Sequence, residues 1–416
     1  MQSIWHPFMQ HAVEPAPRKL VRAEGAYLTT ADGQRILDAI SSWWVITHGH
    51  RHPHIVAAIR AEAERLDQVI FAEFTHEPAE ALAAKLLAVA PAGLAHVFFS
   101  DSGSTSVEVA LKMALGFWKH GGEPRSRIIV MEHAYHGDTI GAMSVGARGV
   151  FNAAYEPLLF EVARIPFPRA GREADTLAAL EAACRTGDAA ALILEPLVLG
   201  GGGMRMYSPA VLASLRRICA AHGVLFIADE VMTGWGRTGT RFACEQAGIS
   251  PDIACYSKGL TGGSLPLAVT LCRHEIFAAH YSEDRRRTFF HSSSFTANPI
   301  ACAAALANLE VWEREPVMQR IQTLAARQAA QLERIRDHPN IENVRRTGTI
   351  AALDLRAPDP GYLAAIGPRL RAHFRAAGVL LRPLGNTLYV LPPYCVSAGD
   401  LDMIYDAIRA AADAVT

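Results

Sequence analysis

The sequence predicts an α/β fold in which a mostly parallel central sheet forms a large domain and both ends of the chain build a small α+β domain. Three observations lead there. Six short apolar runs between Val97 and Leu271 alternate with helical patterns, as strands covered on both faces do. The chain has 416 residues, half of them hydrophobic, which is ample for a large core and too long for one small domain. Outside the alternating block the pattern changes, to short strands with a tight turn at the start and to long helices mixed with strands at the end.

Taken in order, residues 20–28 and 34–37, joined through Ala31-Asp32-Gly33, read as two antiparallel strands. The central strands are expected at 97–99, 128–131, 191–194, 224–228, 253–256 and 267–271. Helical periodicity follows at 297–312 and 317–336. The tail alternates strands at 350–355, 379–382 and 387–391 with helices at 362–377 and 401–414. The expected division is a large domain at 46–304 and a small one from 1–45 and 305–416. Ligands of such sheets gather at the carboxyl ends of the strands.

A net charge of −1 offers no field for nucleic acid or an anionic membrane, and points to small molecules or self-association. The start, Met1-Gln2-Ser3-Ile4-Trp5, shows no basic region leading into an apolar one, and no run approaches the roughly 18 apolar residues of a membrane span. A soluble, cytoplasmic protein is expected. Seven scattered cysteines without a CxxC pair fit reduced core residues.

Lys258 is the most informative residue. An apolar strand delivers it into the turn Gly259-Leu260-Thr261-Gly262-Gly263, a fixed, desolvated setting that lowers an ammonium pKa and frees nitrogen to attack a carbonyl. The strand at 224–228 ends in Asp229, a second charge at a strand's carboxyl end. Together they fit pyridoxal phosphate, with Asp229 on the pyridine nitrogen and Lys258 on the aldehyde; the bland alternative is a buried Asp–Lys ion pair. Ser100-Asp101-Ser102-Gly103-Ser104-Thr105-Ser106 opens a helix after the strand 97–99. Its free N–H groups suit a phosphate, or its serines are plain N-caps. Tyr135, just after the strand 128–131, is placed to cover a planar ring or to pack on its own domain. His48, His50, His52 and His54 alternate along a polar loop, with no neighbouring cysteine or carboxylate to complete a metal shell; no metal is expected there.

These motifs, with Trp5-His6-Pro7, Ser41-Ser42-Trp43-Trp44, Gly202-Gly203-Met204-Arg205-Met206-Tyr207, Gly234-Trp235-Gly236-Arg237 and Arg382-Pro383, resemble over nearly the whole chain the class III aminotransferases of the fold type I pyridoxal phosphate enzymes. Within that family the likeness is to biotin-pathway members that aminate 8-amino-7-oxononanoate to 7,8-diaminononanoate, with S-adenosylmethionine as donor. The resemblance implies that Gly103 and Ser104 hold the cofactor phosphate, Tyr135 stacks on the ring, Asp229 pairs with its nitrogen, and Lys258 is the catalytic amine. It also implies a homodimer in which Ser293 and Ser294 serve the neighbouring subunit's phosphate, with Ser292 beside the substrate. Phe8 and Trp43 would wall the substrate chain, and Arg382 would grip its carboxylate bidentately. Two positions depart from the family pattern: His291-Ser292-Ser293-Ser294 replaces the common His-Gly-Pro-Thr, and Phe8 stands where several relatives carry tyrosine. The open alternatives are an ω-amino acid:pyruvate or diamine aminotransferase, lysine as the donor, and a non-catalytic binding protein.

Overall fold

The computed structural model of the chain describes residues 3–123 and 125–414. Its central sheet has seven strands in the spatial order Leu94–Ser100, Ala268–Arg273, Ile253–Tyr256, Leu225–Asp229, Ala189–Leu194, Arg127–Met131 and Ala163–Ile165. The five from Ile253–Tyr256 onward pair in parallel, whereas Ala268–Arg273 runs antiparallel to both neighbours. The expectation of a mostly parallel sheet holds. The reversed strand follows from its connection: the 3-10 turn Lys258–Thr261 and a short loop fold the chain straight back, with no crossover helix to restore the direction. Ala163–Ile165 is too short to stand out as an apolar run.

Alternate residues of each strand face opposite sides. Ile129, Leu192, Phe226 and Ala254 join one apolar core, and Ile128, Ile193, Ile227 and Ile253 join another, on which the helix Gly103–His120 lays Val107, Ala110, Leu111 and Ala114. Six of the seven cysteines are buried free thiols and Cys395 is exposed. Among the described residues no helix is long and apolar enough to cross a membrane.

Both ends of the chain meet in a four-stranded sheet of Leu20–Glu24, Tyr27–Thr30, Arg35–Asp38 and Val379–Leu380. The single strand expected over 20–28 is two strands, because Gly25 takes a φ of 58° and turns the chain into a hairpin. A three-stranded sheet comprises Ile341–Thr347, Ile350–Leu355 and Thr387–Val390. The first of these was not anticipated, since Ile341-Glu342-Asn343-Val344-Arg345-Arg346-Thr347 is too polar and carries a bulge between Glu342 and Arg345. The helix expected from 362 begins only at Ile366, and strand pairing after Val379 stops at Leu380.

Candidate active site

Four segments leave the carboxyl edge of the sheet together. Asp229 ends its strand in register with Cys255, so the next strand brings Lys258 alongside. Tyr135 follows Arg127–Met131, and Glu195 directly follows Ala189–Leu194. Lys258 takes a φ of 47°, and its Nζ lies 4.8 Å from the centre of the Trp44 ring. Burial pulls its ammonium down to about 8, against the opposing pull of the Asp229 and Glu195 carboxylates, and the Arg237 guanidinium adds to the lowering.

Asp229 is buried and receives two bonds: its Oδ1 accepts from the Val231 amide at 3.1 Å and its Oδ2 pairs with His136 Nδ1 at 2.7 Å. Burial lowers the His136 pKa, but the hydrogen bond and charge of Asp229 outweigh it, so the imidazolium is favoured overall. His136 Nε2 is buried without a hydrogen-bond partner among the described residues. Glu195, also buried, accepts from the Tyr135 and Gly200 amides, both at 2.9 Å, and burial raises its carboxyl to about 7. Arg237 is buried, with no carboxylate on its guanidinium among the described residues; it donates to the carbonyls of Ile46 at 2.8 Å, Pro392 at 3.0 Å and Trp44 at 3.4 Å. That clamp fixes the Trp44 segment, whose Ser41, Ser42 and Trp44 all have positive φ.

Two adjoining cavities share Lys258, Trp44 and Tyr135. The inner one, of about 140 Å³, has the Gly103-Ser104 helix start on one side and Asp229, His136 and Glu195 on another. Ser102 caps that helix through the Thr105 amide, and the first-turn amides of Gly103 and Ser104 precede any helical acceptor. Ser104 Oγ accepts from the Asp138 amide at 3.2 Å. The outer cavity, of about 300 Å³, is walled by Phe8, Trp43, Phe151, Tyr362 and Tyr389, with Arg382 as a cation at its edge. Arg382 Nη2 donates to the Phe8 carbonyl at 2.7 Å, and its guanidinium carbon lies 5.8 Å from the Trp43 ring centre.

The chain therefore brings Gly103, Ser104, Tyr135, Asp229 and Lys258 around one cavity and Phe8, Trp43, Tyr135 and Arg382 around its neighbour. Ser292, Ser293 and Ser294 line neither. Ser293 Oγ hydrogen-bonds Asp101, and the Ser294 carbonyl accepts from Gln68 at 2.7 Å. Trp44, Glu195 and His136 were missed. Glu195 had the same signal as Asp229, a carboxylate closing an apolar strand, and His136 sits beside Tyr135. Three of the alternating histidines have carboxylate partners after all, outside the run itself: His50 pairs with Asp38, His52 with Glu315 and His54 with Glu310, at 2.7–2.9 Å. Each takes a separate partner, and no group of three or more potential ligands among the described residues is arranged for a metal.

The aminotransferase class-III family model matches residues 8–412, and the chain belongs to that family, whose members depend on pyridoxal 5′-phosphate. It is 51% identical, over 97% of both chains, to the adenosylmethionine-8-amino-7-oxononanoate aminotransferase of Synechococcus elongatus. The solved structure of the Methanocaldococcus jannaschii enzyme of the same name superposes with a TM-score of 0.94 at 32% identity, covering 99% of this chain and 97% of that one. An amine transaminase from an uncultivated Pseudomonas species, in its PLP-bound form, gives the same TM-score and identity over 100% and 99% of the two chains.

Proposed function

We propose that this chain transfers an amino group from S-adenosylmethionine to the ketone of 8-amino-7-oxononanoate, giving 7,8-diaminononanoate for biotin synthesis, while the donor leaves as its 2-oxo acid. The observation that carries the reading is Lys258, an amine with its pKa near 8 at the junction of a polar inner cavity and an aromatic outer one that ends in a single guanidinium.

The inner cavity's donors fit the cofactor: a helix start for a phosphate, a buried carboxylate backed by an imidazole for a ring nitrogen, and an amine between them. When bound, pyridoxal phosphate supplies an aldehyde that condenses with amines and a ring that withdraws electrons. In this reading Gly103 and Ser104 would hold the phosphate, Tyr135 would offer an aromatic face, and Asp229, fixed by its bonds with the Val231 amide and His136, would pair with the ring nitrogen. Lys258 would be the residue that holds the aldehyde, and its amine would take the proton from the donor carbon and return it. Phe8 and Trp43 would exclude water from the aliphatic chain, and Ser292, which lines neither cavity of its own chain, would reach the substrate from the other copy's loop. Arg382 exchanges the Phe8 carbonyl for the substrate carboxylate, a stronger charge-assisted acceptor.

The reading includes a homodimer, in which Ser293 and Ser294 reach the other copy's phosphate, and a cytoplasmic enzyme. Ile70, Phe74, Phe290 and Phe295 are exposed apolar residues on the two segments joined by the Gln68–Ser294 bond, which supports self-association there. It also includes the division into a domain at 46–304 and one from 1–45 and 305–416.

The test is a single-turnover assay with stoichiometric holoenzyme, following loss of the cofactor's visible band with S-adenosylmethionine, lysine, alanine or a simple diamine. Rapid conversion by S-adenosylmethionine, then recovery with 8-amino-7-oxononanoate, is expected. Conversion by lysine alone overturns the donor. Conversion only by alanine or the diamine, with no response to 8-amino-7-oxononanoate, assigns the chain to the amine transaminases.

A further inference from the structure

Lys258 holds an unfavourable backbone conformation, with its φ of 47°, in a 3-10 turn whose bonds, among them Leu260 N to Ser257 O and Gly262 N to Gly259 O, are short-range. Something outside the turn must fix it. On the helix Pro299–Arg314, Asn308 is wholly buried, and its Nδ2 donates to both carbonyls that follow the lysine, Gly259 O at 3.1 Å and Leu260 O at 3.0 Å. With both amide protons committed, Asn308 Oδ1 is an acceptor, and His48 Nε2 stands 2.9 Å from it. His48 therefore carries its proton on Nε2, and burial lowers its pKa to about 3, so it stays neutral throughout the working range. Space around the clamp is closed: a Cβ on Gly262 would lie 3.2 Å from Asn308 Oδ1 and 2.7 Å from Ile55 Cδ1.

We infer that Asn308, oriented by His48, is a positioning residue for Lys258, holding the turn so that the amine stays against Trp44 and away from bulk water. Neither side chain lines the two cavities, so the pair acts through the backbone rather than on substrate. The inference rests on the role assigned to Lys258 above.

A loosened turn admits water to the amine and restores its ammonium. The charged and titratable groups facing Lys258 are Asp229, Glu195 and Arg237, with Tyr135 and His136 on the same cavity wall; substitutions at 48 and 308 leave all of them in place. The test measures the rate at which cofactor-free full-length enzyme captures pyridoxal phosphate, trapped with borohydride, as a function of pH. Wild type should show a midpoint near 8. Asn308→Leu, which removes the donors at similar volume, should move it up by about one unit or more and lower kcat at least about tenfold, with KM for both substrates within about twofold. His48→Gln keeps an N–H where Nε2 stands and should match wild type, whereas His48→Leu should shift in the same direction as Asn308→Leu. The His48 pair decides the matter if Asn308→Leu does not fold. Unchanged midpoints in Asn308→Leu and His48→Leu, or equal effects of His48→Gln and His48→Leu, overturn the clamp. Failure of wild type to trap cofactor on Lys258 instead overturns the role of the lysine itself.

Discussion

Replacing Glu195 by glutamine should make the Lys258 amine more reactive at neutral pH while weakening the site around it. A lysine titrating near 8 has about one amine in ten neutral at pH 7, against about one in three thousand for an ordinary lysine near 10.5. Glu195 works against that gain, because its carboxylate favours the ammonium; with its own carboxyl near 7, it is mostly ionised at pH 8. An opposite charge nearby is worth roughly 1–3 units. Arg237 and Asp229 remain, so the low end of that range, about one unit, is expected. The midpoint for capture of pyridoxal phosphate by cofactor-free enzyme should fall from about 8 to about 7, and capture at pH 7 should speed up about fivefold. Glutamine keeps one oxygen for either the Tyr135 or the Gly200 amide but turns an NH₂ toward the other, so equilibrium cofactor affinity should drop by about tenfold, the effect of one lost bond to a charged acceptor. Stopped-flow absorbance across pH 6–9 reads the first effect and titration at fixed pH the second. A midpoint that stays at 8 or rises refutes the electrostatic reasoning.

Three further outcomes are expected. Asp229→Asn should bind the cofactor yet lose at least about a hundredfold in kcat, since an amide paired with His136 cannot hold a ring nitrogen protonated; near-normal single-turnover rates would remove Asp229 from that role. Arg382→Lys should cost about tenfold or more in kcat/KM for 8-amino-7-oxononanoate and little for its decarboxylated analogue, and equal losses would make Arg382 structural. Mixed dimers of Lys258→Ala chains with chains altered at both Ser293 and Ser294 should recover part of the activity that each parent lacks; absence of recovery in verified heterodimers contradicts the shared site.

How far the sequence reveals this molecule depends on how local the cause of each feature is. Strand-end placement of Asp229 and Lys258 is written in a few consecutive residues, because an apolar run that stops at a charge delivers that charge to a sheet edge. The reversed strand Ala268–Arg273 has an apolar run like the parallel strands of the sheet, and only the length of its connection distinguishes it. Trp43 and Trp44 are equivalent on paper, yet positive φ values through Ser41-Ser42 turn Trp44 inward under Lys258 and leave Trp43 on the outer cavity. Asn308 was hidden at the end of the alanine-rich stretch Ala301-Cys302-Ala303-Ala304-Ala305-Leu306-Ala307-Asn308, where nothing signals that a lone amide reaches back to residues 259 and 260. The histidine run misled for a related reason: Glu310 and Glu315 come from a remote part of the chain, and Asp38 from the end of the preceding strand.

Central to this account is that Lys258 is the amine that carries the cofactor. Purified enzyme should be treated with borohydride, digested and mapped by mass spectrometry. The account predicts one pyridoxyl-phosphate group per chain, on the peptide containing Lys258, and none in Lys258→Ala prepared alike. Attachment to another lysine, or an unlabelled Lys258 in protein that turns over its substrates, would contradict it.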